Sequence, residues 1–199
     1  MIVTGIVLAG GQSRRMGVDK ALLRIDGETF LEIAASRLRP LCRQILIAAH
    51  PEQPLPEIEG CRIVTDEEPG QGPLAGLVAG IANSDDEWHL ALACDFPLVS
   101  TRILGFICER VQSADAVVPR ADGRLQPLVA GYSRACLEPG RRALASGQRA
   151  MTAMLDQVKV RVLEEEELRS ADPELDSFMN VNTWDEYEAV RRRLLANAS

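Results

Sequence analysis

Residues 8–20 read Leu-Ala-Gly-Gly-Gln-Ser-Arg-Arg-Met-Gly-Val-Asp-Lys and follow directly on a short apolar run. The adjacent Gly10 and Gly11 let backbone N–H groups approach an anion closely, and Arg15 and Lys20 bring positive charge to phosphate oxygens. In physical terms this is a phosphate-binding loop. It is neither a Walker loop, since no Gly-Lys-Ser/Thr follows, nor a dinucleotide fingerprint, since Gly-x-Gly-x-x-Gly is absent. The alternative is a glycine turn with solvated charges. A bare Gly-Gly would favour that alternative; two arginines and an Asp-Lys pair in the same loop disfavour it.

A second feature closes an apolar run at residues 90–97, Leu-Ala-Leu-Ala-Cys-Asp-Phe-Pro. An Asp at the carboxyl end of a buried strand, with a Pro two residues on, is well placed to hold a divalent cation beside a triphosphate. Asp95 could equally cap the next helix or a turn. In Gly70-Gln71-Gly72-Pro73-Leu74-Ala75-Gly76, small residues would admit a base or ribose near the backbone, and Asp66 just before could accept from either. Taken by itself this segment reads more simply as a strand-to-helix turn with tight packing. Lastly, Asn180 and Asn182 alternate in Phe-Met-Asn-Val-Asn-Thr and point the same way if the chain is extended there. Helix capping would account for one Asn more readily than for both.

These residues need a frame. Short apolar runs at residues 5–8, 44–48, 62–65, 90–93, 116–118 and 158–162 read as strands. Leu31, Ala34, Ala35 and Leu38 share a helical face, as do Leu74, Leu77, Val78 and Ile81 after Pro73. Ile103, Ile107 and Val111 suggest a third helix, and Tyr187, Val190 and Leu194 a last one with Thr183 and Glu186 at capping-box spacing. Strands alternating with helices give an α/β protein whose largely parallel sheet is covered on both faces. Ligands then gather outside the carboxyl ends of the strands. Residues 119–126 read as a turn or exposed loop, and the acidic run at residues 164–167 as a solvated helix start.

The 199 residues fit one domain, 1–199, with a core large enough to need no staples. A net charge of −7 argues against sequence-independent nucleic-acid binding, which relies on clustered Lys and Arg. The longest uncharged stretch, residues 69–84, is broken by Pro and Gly and is too short to span a bilayer. No basic residue precedes Arg14, the reverse of a secretory signal, so a cytoplasmic location is expected. Cys42, Cys61, Cys94, Cys108 and Cys136 form no CxxC pair and read as scattered reduced thiols. The only histidines, His50 and His89, read as strand-edge or surface residues and leave little material for a His-based triad.

Taken together, the motifs resemble the molybdenum cofactor guanylyltransferases, within the nucleotidyltransferase superfamily of Rossmann-like fold. The resemblance rests on LAGGxSxRMGxDK at residues 8–20, GPLAG at 72–76, CDxP at 94–97 and NVNT at 180–183, in the family's order and spacing. Gly10 and the GPLAG plus NVNT combination separate it from cytidylyl relatives. Trp184 stands where a Pro usually follows NVNT, and the strand ending Ala48-Ala49-His50 lacks a commonly found Asn. The implied reaction is attack by the terminal phosphate of molybdopterin on the α-phosphorus of GTP, giving the guanine dinucleotide and pyrophosphate, with Mg²⁺ as cofactor. A cytidylyl- or sugar-phosphate nucleotidyltransferase and a non-catalytic nucleotide-binding domain are the alternatives. Independently of the family, a phosphate monoester is largely ionised at neutral pH, so its attack needs no general base and the scarcity of His is no obstacle. The resemblance implies Gly10, Gly11 and Arg15 at the triphosphate, Lys20 at the α-phosphate, and Asp95 on Mg²⁺. It places Leu8, Ala9 and Asp66 at guanosine, Asn180 and Asn182 on the pterin phosphate or metal side, and Arg149 at the acceptor phosphate. GTP and molybdopterin would be the substrates, with room for transient contacts to other cofactor-biosynthesis proteins and recipient molybdoenzymes.

Overall fold

The computed structural model describes residues 3–10, 16–65 and 72–197, so Gly11, Arg15 and Asp66 lie outside the described residues. The chain opens with strand β1 (Val3–Leu8), a short hairpin of β2 (Arg24–Ile25) and β3 (Glu28–Thr29), and helix α1 (Phe30–Leu38). Next come β4 (Gln44–Ala49), β5 (Cys61–Thr65), α2 (Gly72–Ala82), β6 (Trp88–Ala93) and α3 (Thr101–Cys108). Then follow β7 (Ala116–Ala121), β8 (Arg124–Leu125), β9 (Val129–Ser133), α4 (Leu137–Ala145) and α5 (Met151–Leu155). The chain ends with β10 (Val160–Leu163), α6 (Glu165–Leu168) and α7 (Trp184–Asn197).

The strands form one sheet in the order β10-β7-β9-β6-β1-β4-β5, with β8 paired to β7. β1 lies parallel to β4 on one side and to β6 on the other. That reversal of strand order beside β1 is the switch point where open α/β sheets leave a crevice at their carboxyl edge. Every residue of β1 is buried because helices cover both of its faces. A Cβ on Gly5 would lie 3.2 Å from the Leu38 side chain of α1, whereas one on Gly80 of α2 would press to 2.6 Å from Ile6. The glycine in α2 lets that helix close down onto the sheet.

The expected mostly parallel sheet holds with one reversal inside it: β9 runs antiparallel to both β6 and β7. Its Val-Ala-Gly-Tyr-Ser sequence carries no clear alternation and every residue is buried, so periodicity does not reveal it. Residues 119–126 are not the exposed loop expected from their Pro, Arg and Gly content. Pro119 to Ala121 complete β7, Arg124 and Leu125 form β8, and only Asp122 and Gly123 make the turn, at φ of 50° and 68°. Such a two-residue hairpin turn suits Asp-Gly, and cross-strand pairing outweighs the unfavourable Pro. Helix α3 stops at Cys108, before Val111. The capping box expected at the last helix forms, with Thr183 Oγ1 accepting from Glu186 N–H at 3.2 Å and Glu186 accepting from Thr183 N–H at 2.9 Å. That box starts α7 without the missing Pro, and Trp184 sits half exposed, edge-on to Tyr187 at 5.6 Å.

His89 is not at an edge or surface as expected. It is 1% exposed within β6, where burial lowers its pKa to about 4 and keeps the imidazole neutral at neutral pH. The five cysteines are free, Cys94 and Cys136 buried and the others half-buried. Among the described residues no helix is long and apolar enough to cross a membrane.

Candidate active site

The carboxyl ends of β1 and β6 meet in register at Leu8 and Ala93. Immediately beyond them the chain leaves the sheet in two directions. From β1 it passes into Gly10, which is exposed. From β6 it turns through Asp95, with Phe96 N–H donating to the Ala93 carbonyl at 3.3 Å. Asp19 caps the short helical turn Lys20–Leu22 by accepting from Ala21 N–H at 3.0 Å, and that turn delivers Lys20 back over the strand ends. The C-terminal segment arrives there because Val181 N–H donates to the Asp95 carbonyl at 2.9 Å.

The Lys20 ammonium donates to Asp95 Oδ2 at 3.2 Å and to Asn182 Oδ1 at 2.7 Å. Lys20 is separated from these partners by 75 and 162 positions, so only the folded topology unites three distant motifs. Asn182 is itself fixed, since its N–H and that of Thr183 both donate to the Glu186 carboxylate that caps α7. The side chains of Lys20 and Asp95 keep only 17% and 18% of their exposure. In such shelter a charge interacts more strongly than in open water, yet remains within reach of a substrate. Burial pushes the Asp95 carboxyl above the ordinary carboxylate range, and the neighbouring Lys20 ammonium pulls it part of the way back.

Asp95 Oδ1 is buried and has no hydrogen-bond partner among the described residues. The helix that follows, α3, is capped instead by Ser100, which accepts from Ile103 N–H at 3.1 Å. Asp95 is therefore not the cap of that helix. An unpartnered carboxylate oxygen on a residue that lines a cavity fits a hard cation, and Mg²⁺ usually takes only one or two carboxylates and completes its shell with phosphate and water. Among the described residues no group of three or more His, Cys, Asp or Glu side chains gathers for a metal.

The cavity itself measures about 180 Å³ and is lined by Leu8, Ala9, Gly10, Asp19, Lys20, Pro73, Cys94 and Asp95, among others. Leu8 and Ala9 supply its floor. Their polar backbone groups are already engaged: Leu8 C=O accepts from Cys94 N–H at 3.2 Å, and Ala9 N–H donates to Ala48 C=O at 2.9 Å. These two residues consequently offer shape to the cavity lining. Gly76 packs its α-carbon toward Ala48 and Leu8, each 3.2 Å from an added Cβ, so its smallness serves the helix-to-sheet contact. Gly72, at φ +75°, lies beside Arg149, whose carbonyl would be 3.3 Å from an added Cβ. Arg149 is exposed there, next to the start of α2 whose Pro73 lines the cavity. Asn180 is exposed and hydrogen-bonds to none of the described residues. Two contributors escaped sequence reasoning. Asp19 sits inside the first motif but carried no assigned role, and Gln53 belongs to no motif at all.

A family described as the MobA-like NTP transferase domain matches residues 5–162 of this chain. The chain belongs to that family. A protein named probable molybdenum cofactor guanylyltransferase from Chloroflexus aggregans (strain MD-66 / DSM 9485) is 35% identical over 205 residues, covering 98% of this chain and 96% of the relative. In three dimensions the MobA-like chain resembles molybdopterin-guanine dinucleotide biosynthesis protein A from Archaeoglobus fulgidus, with a TM-score of 0.85 at 26% identity over 97% of this chain and 99% of that one. It also shares the Rossmann-like nucleotidyltransferase fold of 2-C-methyl-D-erythritol 4-phosphate cytidylyltransferase from Thermus thermophilus. There the TM-score is 0.70 at 20% identity, with 96% of this chain and 100% of that chain covered.

Proposed function

We propose that this chain transfers GMP from GTP to the terminal phosphate of molybdopterin, forming the guanine dinucleotide cofactor and pyrophosphate. The observation that carries this reading is the convergence of Lys20, Asp95 and Asn182 at the carboxyl ends of β1 and β6. The names of full-length relatives support the choice of nucleotide and acceptor. We take residues 1–199 as one nucleotidyltransferase domain, and the free thiols suit a reducing, cytoplasmic setting.

In the reaction an oxygen of the pterin phosphate forms a bond to the α-phosphorus of GTP while the bond to the β-phosphate breaks and pyrophosphate leaves. No proton has to be removed from the nucleophile, so the protein supplies position and charge. Lys20 offsets the negative charge gathered at the α-phosphate. Asp95 would hold Mg²⁺, which when bound supplies further charge neutralisation to the phosphates. Asn182 restrains the Lys20 ammonium and faces the pterin phosphate or metal side, with Asn180 beyond it. Gly10, Gly11 and Arg15 cradle the triphosphate, Leu8, Ala9 and Asp66 border guanosine, and Arg149 meets the acceptor phosphate. Incubation with molybdopterin, Mg²⁺ and either GTP or CTP tests this reading. Pyrophosphate release with GTP, and GMP recovered from hydrolysed product, are expected; equal release with CTP, or none with GTP, overturns it.

Gly10 adjoins Leu8 and Ala9 in the cavity lining as well as opening the triphosphate loop, and so allows a sharper test of base reading. The nearest atom to a Cβ built there is the His50 backbone nitrogen at 4.0 Å, so Gly10→Ala leaves the fold undisturbed. Turnover with GTP should nevertheless fall by about ten-fold or more, the cost of one ill-fitting methyl-sized group in a recognition pocket. The melting temperature should stay unchanged. Equal proportional losses for GTP and for any residual CTP turnover would remove Gly10 from base selection.

A further inference from the structure

One polar side chain outside the motifs reaches both flanks of the Gly-rich segment. The Gln53 amide nitrogen donates to the Ala9 carbonyl at 3.1 Å and to Asp19 Oδ2 at 2.7 Å. Its amide oxygen accepts from His50 N–H at 3.3 Å, while its own backbone N–H donates to the His50 carbonyl at 3.0 Å. Both amide hydrogens are thus in use, and the side chain is tied to the turn that follows β4. A carboxylate lacks those hydrogens and an ammonium lacks the acceptor, so the arrangement calls for an amide. Asp19 spends its other oxygen on Ala21 N–H at 3.0 Å, capping the turn that begins with Lys20. Orientation therefore passes from the end of β4 through Gln53 to Asp19, and from Asp19 to the backbone that bears Lys20.

We propose that Gln53 is a positioning residue for the transfer reaction, anchoring Asp19 and so aiming the Lys20 ammonium at the reacting phosphates. This rests on the guanylyl-transfer reading above. Asp95 and Asn182 restrain the tip of Lys20, and Gln53 restrains its root. Gln53 does not line the cavity and so acts through another residue. Misplacing a catalytic group by about 1 Å can cost around 100-fold in rate, so small movements of the turn matter.

The test compares Gln53→Leu, Gln53→Glu, Asp19→Asn and the Asp19→Asn/Gln53→Glu pair in the full chain, reading kcat, the KM for GTP, melting temperature and hydrogen exchange at the Ala21 amide. Gln53→Leu should lower kcat by roughly 10- to 100-fold, raise KM by a smaller factor and quicken Ala21 exchange, with little change in melting temperature. Gln53→Glu should be worse, since its carboxylate faces that of Asp19. Asp19→Asn should lower kcat alone, yet raise it when added to Gln53→Glu, because the new amide can donate to the new carboxylate. A merely structural role does not predict that change of sign. Parental kcat and Ala21 exchange in Gln53→Leu, or a loss from Asp19→Asn in both backgrounds, overturns the proposal. If the parent itself releases no pyrophosphate from GTP, the guanylyl reading fails separately. Ala21 exchange then decides alone: quickened exchange keeps Gln53 as the anchor of the Lys20 turn, and unchanged exchange removes it.

Discussion

Asp95→Asn is expected to take pyrophosphate release down to background and to raise the Mg²⁺ concentration needed for any residual half-activity, while the protein stays folded. The substitution keeps the size of the side chain and an oxygen for the Lys20 ammonium, 3.2 Å away. It removes the negative charge that hard cations prefer and, with its single oxygen turned to Lys20, puts an NH₂ group where Oδ1 now stands buried and unpartnered. Stability should change little, because burial already disfavours the Asp95 charge and the neutral amide escapes that cost. A structural role predicts the reverse: Asn serves turns and caps about as well as Asp, so turnover would survive. The Ser100 cap on α3 already removes one structural duty from Asp95. Mg²⁺ titrations of pyrophosphate release, run beside melting curves of parent and variant, separate the two. An unchanged Mg²⁺ dependence would sink the metal assignment.

What could be read before folding follows from how local each signal is. The helices α1, α2 and α7 repeat their apolar residues over several turns, and α7 carries its cap in adjacent sequence. Glycines and charges within residues 8–20 raise the expectation of an anion site because they crowd into one short stretch of sequence. By contrast β9 is short and buried on both sides, so its residues look no different from a stretch of helix core. The hairpin of β7 and β8 hides behind Pro119 and two arginines that a turn would also contain. Gln53 is the instructive omission. Its spacing from Asp19 has no local meaning, and its role exists only because the parallel pairing of β1 with β4 brings the turn after one strand beside the loop after the other. Sequence puts the two asparagines on one side of an extended segment; in the structure Asn182 engages Lys20 and Asn180 is exposed.

Lys20→Ala should lower turnover by about 10² to 10³, the range found when one preorganised electrostatic group is removed from a sheltered site. Equilibrium binding of GTP should weaken less, because charge concentrated at the α-phosphate during bond exchange draws more from the ammonium than the ground state does. The same change also has a structural cost that must be told apart from the catalytic one. It strips Asp95 of the Lys20 cation and leaves a largely buried carboxylate, with the Glu186 charge still acting against it. Fully buried pairs broken in this way lose about 3–5 kcal/mol; with both side chains keeping nearly a fifth of their exposure, roughly 1–2 kcal/mol is the better expectation here. For a chain of this length that is a fall of about 2–8 °C in melting temperature. Adding Asp95→Asn to Lys20→Ala removes the stranded charge, so the double variant should recover most of the lost melting temperature. Turnover should not recover at all, since both groups that manage phosphate charge are then missing. Near-parental turnover in Lys20→Ala would return Lys20 to a solvated charge. Turnover that recovers together with stability in the double variant would show that the single variant had merely been loosened.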